Sequence, residues 1–502
     1  NHQGDVQHGL AIVEAVGKLA KKHAVRGALK FQFRQLDTFI HPVHHTDSDH
    51  RQVTRFQSTR LSRDDFRRLL DQVRSNGLIS MCTPFDEESV DLIEIMGIEL
   101  IKIASCSARD WPLLERVAAS DKPVIFSTGG LDLAHIDDLV SFFDHRGVEY
   151  AIMHCVALYP TPDEMCQLNQ LDKLRSRYPG RVIGWSTHED PDNVVPVQVA
   201  VGKGAEIFER HVGIETESVK LNAYSSTPEQ LDAWLTAYHK ARAVCGSPER
   251  PPVSDAERDS IDSLRRGVYA RERLPAGSTV RRNQIYFAMP YVDGQLSSGE
   301  WKDRIVIKHD VEPDHPLQTQ HLSIPRSSDA DIIKSSLHDV KALLNEARVP
   351  LNSSFQVEYS HHYGIANFRE TGAVIIDCVN RQYCKKIVVQ LPEQRHPAHF
   401  HKLKEETFQV LFGELNVVVE GHHYVLHPGE SCLVQPGAWH HFWTETGVVF
   451  EEISSTHHND DSFYKDKSIN RMKRSERKTQ VDHWGRFQLY EDNRQNGLEV
   501  VI

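Results

Sequence analysis

Apolar residues in the first half of the chain fall into short runs, separated by longer stretches where they recur at helical spacing. The runs lie near 25–31, 78–82, 98–104, 122–126, 149–155, 181–186 and 205–212. The helical stretches between them carry their own ends. Ser62 stands before Arg63-Asp64-Asp65, and Asp86 before two glutamates, as N-caps with acidic first turns. Thr227 precedes Pro228 at a first helical position, and Gly97 stands where a left-handed C-terminal residue belongs. A leading helix is expected over 5–24. Strand and helix in alternation predict parallel strands joined by crossover helices. Seven strands behind a leading helix are one short of an eightfold α/β barrel. The missing strand would precede Asn1, so the sequence reads as starting inside a domain. A doubly wound open sheet is the alternative that strand counting leaves standing.

The pattern changes at 246–262, which is Pro-rich and charged and reads as a linker. Residues 263–325 read as short β segments with turns such as Leu274-Pro275-Ala276-Gly277, and a helix is expected over 328–347. From 354 onward short alternating strands are broken by Pro392, Gly413, Gly421, Pro428-Gly429 and Pro436-Gly437, the pattern of an antiparallel barrel or jelly roll. The polar stretch 463–502 is expected to wrap the surface. The expected architecture is multidomain: an α/β TIM barrel lacking its first strand over 1–250, a linker and small β-rich domain over 251–327, and a helical lead-in with an all-β jelly roll over 328–502.

At 502 residues the chain exceeds one ordinary domain, and 39% hydrophobic with 25% charged residues is usual for globular protein. No apolar run reaches the roughly 18 residues of a membrane span, so no membrane partner is expected. With 58 basic against 70 acidic side chains the net charge is −12, which argues against nucleic acid as a partner. A small anionic substrate held by a few local cations stays compatible with that balance. The eight cysteines form no CxxC pair and several lie in apolar runs, as expected of a cytoplasmic protein with reduced thiols. Asn352-Ser353-Ser354 matches a glycosylation sequon, but no secretory signal accompanies it.

Chemistry in a barrel sits at the C-terminal ends of the strands. Lys30 and Gln32 lie two apart at one such end, and Lys102 interrupts an otherwise buried strand, Leu100-Ile101-Lys102-Ile103-Ala104. One lysine of this kind is ordinarily a structural salt bridge. Two of them, with Ser127-Thr128-Gly129-Gly130 after another strand, resemble an anion site in which backbone N–H groups approach a phosphate. Glu209 and His211 share a strand end, and His188 follows the strand before it. Singly, each histidine reads as a hydrogen-bonded core or rim residue. Together, imidazoles from neighbouring strand ends can converge on one divalent cation with positions left for water or substrate.

Leu29-Lys30-Phe31-Gln32, Thr83-Pro84-Phe85-Asp86, Lys102-Ile103-Ala104-Ser105, Ser127-Thr128-Gly129, Tyr159-Pro160-Thr161-Pro162, Gly184-Trp185-Ser186-Thr187-His188 and Glu209-Arg210-His211 resemble, in order, the motifs of the N-acetylneuraminate (sialic acid) synthase family. Asn1-His2-Gln3-Gly4 resembles that family's NHxG stretch, and the segment from Ser263 to Ile285 its antifreeze-like (SAF) domain. The resemblance implies a TIM-barrel transferase that condenses phosphoenolpyruvate with a sugar aldehyde to a nine-carbon 2-keto-3-deoxy acid, acting as a homodimer. It implies that Lys30, Gln32, Thr83, Lys102, Ser105, Ser127 and Ser186 hold phosphoenolpyruvate. It also implies that His188 and His211 bind Mn2+ or Mg2+, with Glu209, His188, His211 and Tyr159 as the catalytic set. Departures concentrate on the sugar side. Cys106-Ser107-Ala108 stands where the family has an acid, Ala157 precedes the Tyr-Pro-Thr-Pro motif in place of an Asn, Asn222 lies where the family has a GPDH segment, and Met289 replaces the arginine of the SAF domain. The resemblance therefore implies an altered acceptor or lost catalysis.

His399-Phe400-His401, Glu406 and His440 are spaced as in the two motifs of the cupin family, with Glu405 as a competing carboxylate. His399 and His401 alternate on a strand and so point together into the barrel; with Glu406 and His440 they would cage a divalent metal of unspecified identity. A structural or sugar-binding cupin without turnover is the plainer alternative. The surroundings of Glu451 and Glu452 resemble sugar-isomerase cupins of the lyxose isomerase type, where a glutamate near the metal moves a proton. The readings carried forward are a phosphoenolpyruvate-dependent sugar acid synthase whose cupin acts on or recognises the sugar, a cupin isomerase or epimerase with a vestigial barrel, and a non-catalytic sugar-binding scaffold.

Overall fold

The computed structural model describes residues 1–45, 49–351, 354–458 and 460–481. Asn352 and Ser353 of the sequon, and the part of the 463–502 stretch beyond Val481, lie outside the described residues. The chain forms two compact units, Asn1–Pro252 and Val253–Ile502.

The first unit contains β1 (Ala28–Phe33), β2 (Ile79–Pro84), β3 (Leu100–Ile103), β4 (Val124–Ser127), β5 (Tyr150–Cys155), β6 (Val182–Ser186) and β7 (Ile207–Glu209), all parallel and paired in chain order. Doubly wound sheets reverse their strand order; a sequential order belongs to a barrel wall. Seven strands laid flat at about 4.8 Å spacing would put the outer two roughly 29 Å apart. Instead Lys30 on β1 and Glu209 on β7 form an ion pair, so the sheet is curled and its open side lies between these two strands. Among the described residues no strand fills that gap. The crossover helices start and stop where local chemistry dictates. Ser62 and Asp65 form a capping box, Asp86 accepts from Ser89 N–H, and Gly97 ends its helix at φ +66°.

Alternation along the strands makes two layers inside the curled sheet. Met81, Leu100, Ile125, Ala151, Met153 and Ile207 form an apolar floor. Two residues further along each strand, on the same face, come Thr83, Lys102, Ser127, Cys155 and Glu209. Gly184 belongs to the floor because nothing larger fits: a Cβ there would lie 2.4 Å from Met153 Sδ and 2.5 Å from the Ile207 carbonyl oxygen. The outward face, with Phe33, Cys82, Ile101, Ile103, Phe126, Ile152 and Trp185, packs against the helices.

In the second unit, the segment read as a linker contains a helix, Asp255–Leu264, capped by Ser254. The Pro-rich charged composition hid it, because a helix with no buried residues shows no apolar stripe. Beyond it, short strands Gly267–Ala270 with Ile285–Ala288 and Val306–Ile307 with Leu322–Ser323 enclose a core of Val268, Leu274, Ile285, Leu296, Ile305 and Leu317. Helix Asp329–Glu346, with its Ser328–Asp331 capping box, lays Ile333, Leu337, Val340 and Leu344 on Val357, Tyr359, Val374 and Ile376. Two antiparallel sheets of seven and five strands follow and face each other across Phe408, Val410, Val417, Phe442 and Phe450. The stretch after 463 does more than wrap the surface. Phe463–Tyr464 pairs with Arg395–Phe400, and Lys478–Val481 pairs with Gln356–Ser360 as the seventh strand. Its buried apolar residues, Tyr464, Ile469 and Val481, are too few to give a periodic signal. No helix among the described residues is long and apolar enough to cross a membrane.

Candidate active site in the barrel and metal centre in the cupin

The polar layer of the curled sheet gathers at Glu209. Lys30 Nζ binds one of its carboxylate oxygens, and Lys102 Nζ lies 3.3 Å from the other. Lys102, 2% exposed, also donates to Ser127 Oγ and to the Ile103 carbonyl at 3.2 Å. Burial opposes the Glu209 charge, but the Lys102 and Lys30 ammonium groups outweigh it and hold the carboxyl far below the ordinary range. Burial lowers Lys102 itself, against the pull of Glu209. The other positions named from the sequence fall around this cluster. Ser186 is buried and in register with Glu209 on the neighbouring strand. Ser105 Oγ accepts from Gly129 N–H at 3.1 Å. A Cβ on Gly129 would lie 2.7 Å from that oxygen. Thr83 Oγ1 is buried with no hydrogen-bond partner, a hydroxyl available to a ligand. Gln32 is exposed, and its amide oxygen accepts from Arg34 at 3.4 Å rather than joining Lys30.

His188 and His211 flank the cluster with ring centroids 5.4 Å apart. His188 Nδ1 donates to the Val156 carbonyl at 3.2 Å, which leaves Nε2 as a lone pair. Burial keeps both imidazoles neutral at ordinary pH, with His188 lowered to about 4 and His211, also under the field of Lys30, to about 3. Neutral imidazoles with free lone pairs are metal ligands. Tyr159, itself half exposed, covers His188 at 4.3 Å between rings. Tyr224 closes the group, 5.1 Å from Tyr159 and 5.2 Å from His211. Below lies an ion pair that sequence reasoning missed: Glu189 and Arg210, 0% and 3% exposed, meet at 2.6 Å. They immediately follow His188 and precede His211, so the pair ties together the two backbones that carry the histidines. Ser107 is buried, Ala157 exposed, and Asn222 spends its amide oxygen on the Tyr224 N–H at 3.2 Å.

In the cupin, His399, His401 and His440 bring one nitrogen each within 4.8 Å of one another. Their outer nitrogens all face backbone carbonyls: Pro397 at 3.0 Å, Asp461 at 2.5 Å and Ala438 at 3.1 Å. A carbonyl only accepts, so each Nδ1 carries a proton and each Nε2 is the nitrogen turned inward. Glu406 faces them with Oε1 3.4 Å from His401 Nε2 and Oε2 3.3 Å from His440 Nε2. Both His440 Nε2 and Glu406 Oε2 are buried without a hydrogen bond. Three inward imidazole nitrogens and a buried carboxylate converging on one point are a donor set that fits a divalent metal. Glu405 is exposed and takes no part. Burial decides between the two carboxylates: Glu406 turns inward to the buried Lys404.

Lys404, 3% exposed, binds Glu406 and also Glu452 at 2.8 Å. Burial disfavours its charge, but Glu452 and Glu406 more than compensate. Glu452 lines the interior, whereas Glu451 turns away to Lys385 at 2.7 Å. Lys404 and Lys386 were not anticipated, although Lys386 beside Ile387-Val388-Val389 carries the same signal as Lys102. Asp461 shapes the loop, its carboxylate accepting from the N–H groups of Lys402, Leu403 and Lys404.

Residues 18–250 match the NeuB family and residues 386–451 the cupin domain. A solved spore coat polysaccharide biosynthesis protein E from Chromobacterium violaceum is 46% identical, with a TM-score of 0.62, over 64% of this chain and 97% of its own. The Bacillus subtilis spore coat polysaccharide biosynthesis protein SpsE is 30% identical over 262 residues, 51% of this chain and 69% of that one. The N,N'-diacetyllegionaminic acid synthase of Legionella pneumophila is 26% identical over 304 residues, 58% of this chain and 83% of that one. With the motifs in order along a curled parallel sheet and relatives covered over most of their length, this chain belongs to the NeuB family and carries a cupin domain behind its synthase-like region.

Proposed function

We propose that the barrel is a transferase that condenses phosphoenolpyruvate and water with an aldose or amino sugar, giving a 2-keto-3-deoxy sugar acid and inorganic phosphate. The observation that carries this reading is the pair Lys30 and Lys102 held on the single carboxylate of Glu209, under two neutral imidazoles. Two ammonium groups against one carboxylate leave a net positive site that suits a substrate bearing phosphate and carboxylate. In this reading Lys30 and Lys102 neutralise those groups, while the Thr83, Ser105, Ser127 and Ser186 hydroxyls and Gln32 complete their hydrogen bonds. His188 and His211 would hold Mn2+ or Mg2+, which would supply Lewis-acid polarisation of the acceptor's aldehyde oxygen. Glu209 orients the lysines, and Tyr159 covers His188 and keeps water from it. The legionaminic acid synthase among the relatives supports the reaction class.

The cupin centre of His399, His401, Glu406 and His440 holds a second divalent metal and recognises or acts on the sugar. An isomerase role is the second reading, favoured by Glu452, an ionised carboxylate inside the cavity held by Lys404. The proposed domains are 1–250, 251–327 and 328–502, and the chain acts as a cytoplasmic homodimer. The test is phosphate release from phosphoenolpyruvate with Mn2+ across a panel of aldoses and amino sugars. Release with one or more of them is expected. Interconversion of sugars with no phosphate release from any acceptor would overturn the synthase reading in favour of the isomerase.

A further inference from the structure

Four rings close a cycle beside the Glu209 cluster. His188 and His211 stand 5.4 Å apart between centroids, His211 and Tyr224 5.2 Å, Tyr224 and Tyr159 5.1 Å, and Tyr159 and His188 4.3 Å. Two members are the imidazoles read as metal ligands, and Tyr159 belongs to the Tyr-Pro-Thr-Pro motif. Tyr224 has neither part. It lies in 220–225, the segment that stands where the family has GPDH. The chain fixes it there. Tyr224 N–H donates to Asn222 Oδ1 and Ser225 N–H to the Asn222 carbonyl, each at 3.2 Å, a tight turn of the kind asparagine favours. Just beyond, Ser226 N–H donates to the carbonyl of His211 itself at 2.9 Å, and the buried Ser225 hydroxyl accepts from the Asn1 amide at 3.1 Å. The ring is thus carried on an anchored backbone and set edge-on to His211 at 87° and to Tyr159 at 60°. Its hydroxyl makes no hydrogen bond among the described residues, and the side chain is only partly buried. A held phenol offers an apolar face and one group that both donates and accepts, the pairing a sugar presents in return. Being uncharged, it adds nothing to the hold of Lys30 and Lys102 on an anionic substrate, and among the described residues no hydrogen bond or ring contact joins it to Lys30, Lys102 or Glu209.

We propose that Tyr224 is an acceptor-binding residue of the barrel, its ring against a C–H face of the sugar and its hydroxyl paired with one sugar hydroxyl. The acceptor's aldehyde end belongs beside His188 and His211, and the carbon chain behind it then passes the phenol packed on His211. The contact that the family makes with its GPDH segment is here made by a phenol from the same segment. This rests on the reading of the barrel as the synthase.

The test compares the full chain with Tyr224→Phe and Tyr224→Ala. Phosphate release gives kcat and the acceptor KM with the best acceptor of the aldose and amino sugar panel. Calorimetry gives phosphoenolpyruvate affinity, and elemental analysis gives Mn2+ content on the same samples. Tyr224→Phe keeps the ring and its packing and removes only the hydroxyl. It is expected to raise the acceptor KM roughly three- to tenfold, the loss of one neutral hydrogen bond, with kcat, phosphoenolpyruvate affinity and Mn2+ content unchanged. Tyr224→Ala should raise the acceptor KM further, because the apolar contact goes as well. An unchanged acceptor KM in Tyr224→Phe overturns the inference. So does a fall in kcat alone, which places the phenol in the chemical step, or a parallel loss of phosphoenolpyruvate affinity, which places it on the other substrate. Loss of Mn2+ from Tyr224→Phe reduces Tyr224 to a brace for His211 and likewise overturns it. Wild-type protein that releases no phosphate with any acceptor overturns the synthase reading itself, a result separate from any difference between the variants.

Discussion

Lys30 on the first strand and Glu209 on the last are joined by an ion pair across the open side of the seven-strand sheet. The contact does two jobs. It brings the edges of a curled sheet together, and it sets the carboxylate that must organise both lysines where a doubly anionic substrate would bind. Pairing with two lysines holds this carboxyl well below the ordinary carboxylate range, against the burial that opposes its charge.

Lys102→Ala should weaken phosphoenolpyruvate binding roughly ten- to hundredfold. That corresponds to the loss of charged hydrogen bonds worth about 1.5–3 kcal/mol. Acceptor binding should change far less. Calorimetry with each ligand checks both, and unchanged affinity for phosphoenolpyruvate rules the assignment out.

The two metal centres stand on different folds and should empty independently. Elemental analysis of the full chain should find two equivalents of divalent metal, with His399→Ala and His188→Ala each removing one. Retention of both equivalents by His399→Ala would remove the cupin centre from the account.

Stability should fall as the solution is acidified. Burial lowers His362 to about 3, with Lys478 and Arg477 adding to it, and lowers His457 to about 3, with Lys386 and Lys404 adding to it. Their unfolded value is 6.5. A depressed pKa means that the unfolded chain binds the proton first. The stabilisation is therefore complete above pH 6.5 and is lost progressively below it, by up to about 1.4 kcal/mol per pH unit for each histidine. Urea unfolding between pH 7.5 and 5 measures the slope, and His362→Phe should make it shallower. A flat profile below pH 6.5 contradicts the burial argument.

N-acetylmannosamine should be a poor acceptor. Ser107, Asn222 and Met289 stand where the family carries an acid, a GPDH segment and an arginine, and a polar site discriminates sharply when a partner group is missing. Ser107 is buried, and the Asn222 amide oxygen accepts from the Tyr224 N–H; neither side chain carries the charge of the acidic groups it stands in for. Phosphate release with N-acetylmannosamine as fast as with the best acceptor would make these replacements neutral.

Much of this molecule was legible in the order of its residues. Period and caps placed the seven strands, the Ser62, Asp86 and Thr227 helix starts and the Gly97 stop, because these are local: each depends on residues within one turn or one strand. The residue types at strand ends named Lys30, Lys102, Glu209, His188 and His211, and the alternation of His399 and His401 marked the cupin centre. Tertiary structure alone decided the rest. Only the curl of the sheet brings Lys30 to Glu209, 179 residues away. Only the burial of Glu406 and the exposure of Glu405 choose between adjacent carboxylates, as Glu452 is chosen over Glu451. The edge strand Lys478–Val481 and the helix Asp255–Leu264, which buries no residue, escaped the sequence because pairing to a distant edge, or lying on the surface, leaves no period to read. Lys386 shows the limit most clearly. A lysine in an apolar strand announces that it needs a partner, but that the partners are Asp377 and Glu452, each at 3.7 Å, is a matter of long-range pairing that no local pattern encodes.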